Sequence, residues 1–247
     1  MCGRYASSAD PDLLVEEFEI DEVDDGLPES NWNIAPTDPV PAVLERAADD
    51  QVTRKLRPLR WGLVPSWAKD KSIGARMINS RLETVAEKPA FRKAFRSRRC
   101  LLPADGYFEW YETERTHTSG RNAGKPIKQP FFIHRADGGR LVMAGLYEFW
   151  KDPKLDGDEA WWLSCSVITT TATDALGHIH DRMPMVIQQE AWDSWLDPSL
   201  TDADAALDLL AVTEADQLQA YAVSTEVNSV RNNGPQLVRP LAESEGR

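Results

Sequence analysis

The chain has 247 residues, 42% of them apolar, and a formal net charge of −12. That length suits one large domain or two small ones, and the apolar fraction is enough for a packed core. No run approaches the roughly 18 apolar residues of a membrane span. The amino terminus lacks a basic-then-apolar signal, so a cytoplasmic protein is expected. Cys2, Cys100 and Cys165 have no paired spacing, which argues against a disulfide framework or a zinc cluster.

In chain order, Asp10-Pro11 starts a helix that runs to about Phe18: Asp at the cap, Pro in the first turn, Leu14 and Phe18 on one face. Residues 40–44 read as a strand. Lys88-Pro89 opens a second helix, with Phe91, Ala94 and Phe95 on one side. Strand-like runs follow at 101–102, 107–111, 131–134, 141–147, 162–170 and 185–187. Residues 112–129 form a polar hairpin loop, and residues 152–159 form an acidic one. Thr201 and Asp204 resemble a capping box ahead of a helix at 205–211, and a last strand lies at 221–224. Helices and strands do not alternate regularly, so the class is α+β rather than a doubly wound parallel sheet. Cys100 and Cys165 fall inside strand-like runs and read as small buried side chains.

The charge is unevenly spread. Residues 54–99 hold 14 cations against Asp70, Glu83 and Glu87, a net of +11, while the rest of the chain carries −23. A cationic stretch within an acidic shell fits a phosphate-binding groove, although Arg92 to Arg99 alone read better as a solvated helix face. With 9 lysines against 19 arginines, the acidic remainder reads as adaptation to high salt.

Four clusters carry chemistry. In Met1-Cys2-Gly3-Arg4, removal of Met1 would leave an amine and a thiol on adjacent carbons, with reference pKa values of about 8 and 8.5. Such a 1,2-aminothiol condenses with an aldehyde to a thiazolidine. In Gly106-Tyr107-Phe108-Glu109-Trp110-Tyr111, alternation sets Tyr107, Glu109 and Tyr111 on one face, and aromatic flanks raise a carboxylate toward acid/base work. In a strand over 79–83, Asn79, Arg81 and Glu83 share a face. In His178-Ile179-His180-Asp181-Arg182, His180 and Arg182 do likewise, and His180 is suited to moving protons near neutral pH.

Taken in order, several segments resemble the SRAP proteins, which process abasic DNA. They are Cys2-Gly3-Arg4, Asn33-Ile34-Ala35-Pro36-Thr37, Arg60-Trp61-Gly62-Leu63-Val64-Pro65-Ser66-Trp67, Asn79-Ser80-Arg81-Leu82-Glu83-Thr84, Arg99-Cys100-Leu101-Leu102-Pro103-Ala104-Asp105-Gly106-Tyr107-Phe108-Glu109-Trp110, Ala144-Gly145-Leu146-Tyr147-Glu148, Thr169-Thr170-Thr171-Ala172 and Ile179-His180-Asp181-Arg182-Met183-Pro184. Two positions depart from the common pattern: Ala68 replaces a second aromatic after Trp67, and Ser80 stands between Asn79 and Arg81. The resemblance implies a single α+β domain over 1–230 with a curved, mainly antiparallel, barrel-like sheet, peripheral helices and a central DNA-binding groove, followed by a tail at 231–247. It implies a monomer, associated with the nucleoid when bound, whose partner is single-stranded DNA with abasic sites, junctions with duplex included. It implies no cofactor and no metal. Cys2 would be the nucleophile, with Asn79, Glu109 and His180 as the other catalytic groups. Arg4, Trp67, Arg81, Trp110, Thr170 and Arg182 would line the DNA path. The implied activity is a lyase-like covalent linkage, with autoproteolysis as one route by which Met1 could be removed. A self-processing N-terminal-nucleophile protease and a non-covalent reader of modified bases are the alternatives.

Overall fold

The computed structural model describes residues 2–48, 51–172, 177–210 and 217–242. In chain order its strands are β1 (Tyr5–Ser7), β2 (Glu22–Val23), β3 (Asn31–Ile34), β4 (Pro39–Ala48), β5 (Gln51–Trp61), β6 (Asn79–Arg81), β7 (Arg99–Ala104), β8 (Gly106–Thr116), β9 (Pro126–Arg135), β10 (Leu141–Lys151), β11 (Trp161–Thr171), β12 (Arg182–Pro184) and β13 (Leu218–Ala222). Among the described residues, short α-helices accompany them: α1 (Pro11–Glu17), α2 (Arg92–Ser97), α3 (Trp192–Leu196) and α4 (Ala203–Asp208).

The strands β5, β4, β7, β10 and β11 lie side by side as antiparallel neighbours. A short parallel pairing of Ser164 with Arg60 and Cys165 with Trp61 returns β11 to β5 and closes the five into a barrel. Past that closure, β6 continues along the β5 edge of β11 and β12 takes the opposite edge, so that Thr169 pairs with Arg81 on one side and Pro184 on the other. A second sheet, ordered β13-β9-β8-β1-β3, packs beside it. The α+β class and the mainly antiparallel, barrel-like sheet are thus as expected.

The barrel wall is apolar on both faces. Cys100 and Leu102 point inward with Leu44, Leu59, Trp61, Cys165 and Val167. Leu101 points outward with Val43, Val142, Ala144 and Ile168, against Leu14, Phe95, Trp195 and Ala206 of the helices. A strand buried on both faces reads as a continuous apolar run, which accounts for Cys100-Leu101-Leu102-Pro103-Ala104. Arg99 is 3% exposed, yet among the described residues no carboxylate pairs with its guanidinium. It donates to the carbonyls of Phe95 and Arg96 at the end of α2 and to those of Trp195 and Asp197 at the end of α3, at 2.7–2.9 Å. A cation among helix C-terminal carbonyls is satisfied by their partial negative charge.

Several elements differ from the sequence pattern. The first helix is as expected, with Asp10 accepting from the Asp12 amide. The second begins at Arg92 rather than at Lys88-Pro89, because the Lys88 carbonyl first closes a turn onto the Phe91 and Arg92 amides. Asp202, not Thr201, caps α4, accepting from the Asp204 and Ala205 amides at 2.9 Å. That helix ends at Asp208, and Ala211 lies outside the described residues. Residues 185–187 are not a strand; the pairing belongs to β12, and Val186 makes a lone bridge to Met143. The long β5 had no signal. Its cations hide an alternation and are spent on neighbours: Arg54 with Glu45 and Asp193, Lys55 with Glu22, Arg57 with Asp24. The expected hairpin loop narrows to the turn between β8 and β9. Residues 231–242, set apart as a tail, lie on the body: Leu237 is buried with Ala6, Phe108 and Val223, and the Tyr221 hydroxyl donates to the Val238 carbonyl at 2.6 Å.

The barrel's closing corner depends on two glycines. Gly62 has φ of +133° and donates its amide to the Cys165 carbonyl at 2.8 Å. A Cβ on it would stand 2.6 Å from the Gly74 carbonyl oxygen, and one on Gly74 would stand 2.4 Å from that of Gly62. Gly62→Ala combines left-handed backbone strain with a backbone clash and should cost about 2–4 kcal/mol. Urea unfolding of the variant measures this, and a wild-type midpoint would refute it.

Candidate active site at the barrel mouth

The amino-terminal segment is drawn inside by β1, which sits between β3 and β8. Tyr5 pairs with Ile34 on one side and Tyr107 on the other, and the Phe108 amide donates to the Arg4 carbonyl at 2.9 Å. Cys2 is therefore fully buried, in one cluster with Tyr5, Trp61, Tyr107, Cys165 and Met183. The Asn79 side-chain amide donates to the Cys2 carbonyl at 2.7 Å. Asn79 is aimed by the pairing of β6 with β11, opposite Val167, and the Trp61 indole holds the preceding Ile78 carbonyl at 2.8 Å.

Glu109 lies two residues beyond Tyr107 on β8, so the pleat turns both to the Cys2 side. Phe108 and Trp110 face the other core, as alternation predicts. Glu109 is 4% exposed, and burial pushes its carboxyl up to about 7, against the pull of the chain's terminal positive charge. Burial, then the Glu109 charge, pushes the Cys2 thiol well above its ordinary range, while the Arg4 amide acts the other way. His180 is held by the Arg182 amide, which donates to Nδ1 at 3.0 Å. The Asp181 carboxylate also lies 2.9 Å from Nδ1 but is largely exposed. Nδ1 cannot donate to Asp181 while accepting the amide hydrogen, so the neutral ring carries its proton on Nε2. Burial lowers the His180 pKa, which favours that neutral form.

The remaining candidates fall into three groups. Arg4 and Trp110 form one unit. Arg4 donates to Asn33 Oδ1 at 2.6 Å and to the Val227 carbonyl at 2.8 Å, and lies 5.7 Å over the Trp110 ring. Trp110 donates to Asn228 Oδ1 at 2.7 Å. Arg81 and Trp67 are exposed, Trp67 by 59%. Arg182 and Thr170 are built into the wall. Thr170 is buried opposite Met183, and Arg182 grips Glu83 with both terminal nitrogens at 2.6 and 3.0 Å while donating to the Thr169 carbonyl at 2.6 Å. Residues 79–83 do not share one strand face, since a 3-10 turn begins at Leu82.

Two polar residues that sequence reasoning left without a role emerge here. Asn33 is 2% exposed and its amide bridges the carbonyls of Ser229 and Asn232 at 2.9 and 3.0 Å. Asn228 orients Trp110. The signal for Asn33 was its place in the segment Asn33-Ile34-Ala35-Pro36-Thr37, and Asn228 had none among the segments named above. Part of the cationic stretch 54–99 is scaffold: beyond the β5 pairs and Arg99, Arg98 pairs with Glu148 at 2.8 Å. His178 lies edge-on to Tyr111. Among the described residues no three His, Cys, Asp or Glu side chains gather to hold a metal ion.

Comparison with known proteins gives the family of the chain. The family model described as SOS response associated peptidase (SRAP) matches residues 1–230. The chain belongs to this family. It is 38% identical to the abasic site processing protein YoqW of Bacillus subtilis, covering 96% of this chain and 99% of that one. It is 34% identical to the abasic site processing protein YedK of Escherichia coli, over 98% and 100% of the two chains. With HMCES of Pongo abelii, also named an abasic site processing protein, it shares 30% identity over 98% of this chain and 76% of that one. A crystal structure of a protein from Bacteroides thetaiotaomicron has the same fold, with a TM-score of 0.78 at 24% identity over 98% of this chain and all of that one.

The Asn79 bond should hold the Cys2 segment closed. Asn79→Ala removes one hydrogen bond of about 1 kcal/mol, so opening and hence alkylation of Cys2 should rise about fivefold. Timed iodoacetamide labelling with peptide mapping measures this; an unchanged Cys2 rate would show that the bond does not control access.

Proposed function

We propose that this protein processes abasic sites in single-stranded DNA by joining them covalently to Cys2 through a thiazolidine, shielding the lesion from strand cleavage. The carrying observation is the burial of Cys2 beside a carboxyl group raised to about 7. That environment suits condensation with an aldehyde, because a carboxyl group protonated near neutrality can donate the proton that lets water leave. The names of the relatives supply the substrate class.

The chemistry runs in a definite order. Hydrolysis of the Met1–Cys2 peptide bond frees the Cys2 amine, because an amide nitrogen forms no imine. In its protonated form His180 gives its Nε2 proton to the ring oxygen of the abasic sugar while the anomeric hydroxyl loses its proton to water, so the ring opens to the aldehyde and His180 returns to the neutral imidazole. The amine adds to the aldehyde carbon, and Glu109, protonated below its raised pKa, donates the proton that lets water leave. The thiol then adds to the imine carbon and its proton passes to nitrogen, closing the five-membered ring. Aldehyde and aminothiol give thiazolidine and one water. A thiol pushed upward by burial is a poor first nucleophile. The amine therefore attacks first and the neutral thiol follows. Asn79 holds the Cys2 backbone so that both groups reach one carbon. Arg4, Arg81 and Arg182 carry the phosphate charge, Trp67 and Trp110 offer faces to bases, and Thr170 borders the path. Arg182 serves by exchanging or sharing its Glu83 partner.

Cys2→Ala should abolish the heat-stable adduct with an abasic oligonucleotide while single-strand binding persists, read by denaturing gel and by fluorescence anisotropy. A stable adduct in that variant would remove the thiazolidine. The rate of adduct formation should fall on the alkaline side as Glu109 loses its proton near pH 7. Glu109→Gln should abolish that limb and slow the reaction by roughly 10²- to 10⁴-fold. A wild-type rate and profile in Glu109→Gln would assign the proton transfers elsewhere.

A further inference from the structure

The β8–β9 hairpin forms a cationic arm that the chemistry above does not use. From His117 to Gln129 the chain holds Arg121, Lys125 and Lys128 and no carboxylate, in a protein of net charge −12. Between this arm and residues 225–228 runs an open groove of about 580 Å³. Its walls are His117, Asn122, Lys125 and Lys128 from the hairpin, and Thr225 and Asn228 from the segment after β13. Glu112 also faces the groove, but it is paired with Lys128 at 2.9 Å, and both side chains are more than half exposed. Such a surface pair is worth little and gives way readily to a stronger anion.

The groove is linked to the Cys2 segment by a chain of contacts. Asn228, in its wall, holds the Trp110 indole; Trp110 lies under Arg4; Arg4 is two residues from Cys2. The carbonyl of Val227, next to Asn228, accepts from Arg4 itself. The pKa of His180, lowered first by burial, is also lowered by the Lys128 ammonium, so the arm's charge reaches the catalytic cluster. A strand that passes Trp110 on leaving Cys2 therefore enters this groove.

We infer that the groove is a further binding site for the sugar-phosphate backbone, taking the strand on one side of the abasic nucleotide. Lys125 and Lys128 neutralise successive phosphates, with Asn122 and His117 within the same wall to donate hydrogen bonds. Lys128 exchanges Glu112 for a phosphate. The inference rests on the covalent reading only for which nucleotide sits at Cys2.

The test uses the full-length protein and single strands carrying a tetrahydrofuran abasic analogue, which has no aldehyde and so reports binding alone. A core oligonucleotide with two flanking nucleotides on each side is compared with others extended by six nucleotides on the 5′ or the 3′ side. Wild type should gain about tenfold or more in affinity from one extension and less from the other. Lys125→Ala/Lys128→Ala should erase that one-sided gain. It should also flatten the logarithmic salt dependence for that oligonucleotide by about 1.4, the value for two lost single-strand phosphate contacts. Lys125→Glu/Lys128→Glu should make the extended strand bind more weakly than the core. These side chains are exposed, so the variants should keep the wild-type melting temperature. An equal response to both extensions, or a gain that survives in both variants, overturns the groove. Adduct formation with a true abasic oligonucleotide is scored separately: its absence alongside a one-sided, lysine-dependent gain would sink the covalent reading and leave the groove standing.

Discussion

The constraint on which the structure turns is the burial of a chain end. Amino termini are usually solvated, because the backbone there has no regular partner. Here the terminal strand is made central in its sheet, so β3 and β8 satisfy its backbone on both sides. Asn79 supplies a donor for Cys2, and Arg4 is tied to Asn33 and to the carbonyl of Val227. Everything near the site can be understood as support for that placement. The parallel closure of β11 onto β5 and β6 brings Asn79 within reach, and the pleat of β8 delivers Glu109.

Charge in this molecule divides into two economies. Arg54, Arg57, Arg98 and Arg99 hold strands and helix ends together, and Arg99 does so through carbonyls alone. Salt weakens long-range fields between exposed charges far more than it weakens such buried hydrogen bonds. The cations on the exposed hairpin and at Arg81 belong to the second economy, where they face solvent and ordinary counterions. Net charge conceals this division, since the acidic surface dominates the sum while the cations cluster where chemistry or packing needs them.

Much of this architecture was legible in the residues, for physical reasons that also mark the limit. Period-two alternation resolved β8 well enough to separate Glu109 from Trp110, because that strand lies between two different cores. Asp10-Pro11 announced α1 because cap and first-turn residues act locally. The strand β5 was hidden because its long cations take partners on neighbouring strands. Thr201 looked like a cap because two acceptors in succession compete for one helix end, and Asp202 won. Above all, the meeting of residues 2, 79, 109 and 180 is tertiary. Family resemblance could group them, but no spacing rule says that Asn79 reaches the Cys2 carbonyl, or that Asn33 and Asn228 brace Arg4 and Trp110.

The tethering of the terminus has a consequence for how the protein is made. Synthesis delivers Cys2 first, and the groups that enclose it arrive much later: Asn79, then Tyr107 and Glu109, then β11 and His180. Until β11 is available the barrel cannot close, and the leading residues remain in solvent at the ribosome exit. Reagents in solution thus meet the Cys2 thiol while the chain is still growing. After closure that thiol is fully buried. The order of synthesis therefore separates a period in which residue 2 is open from one in which it is enclosed.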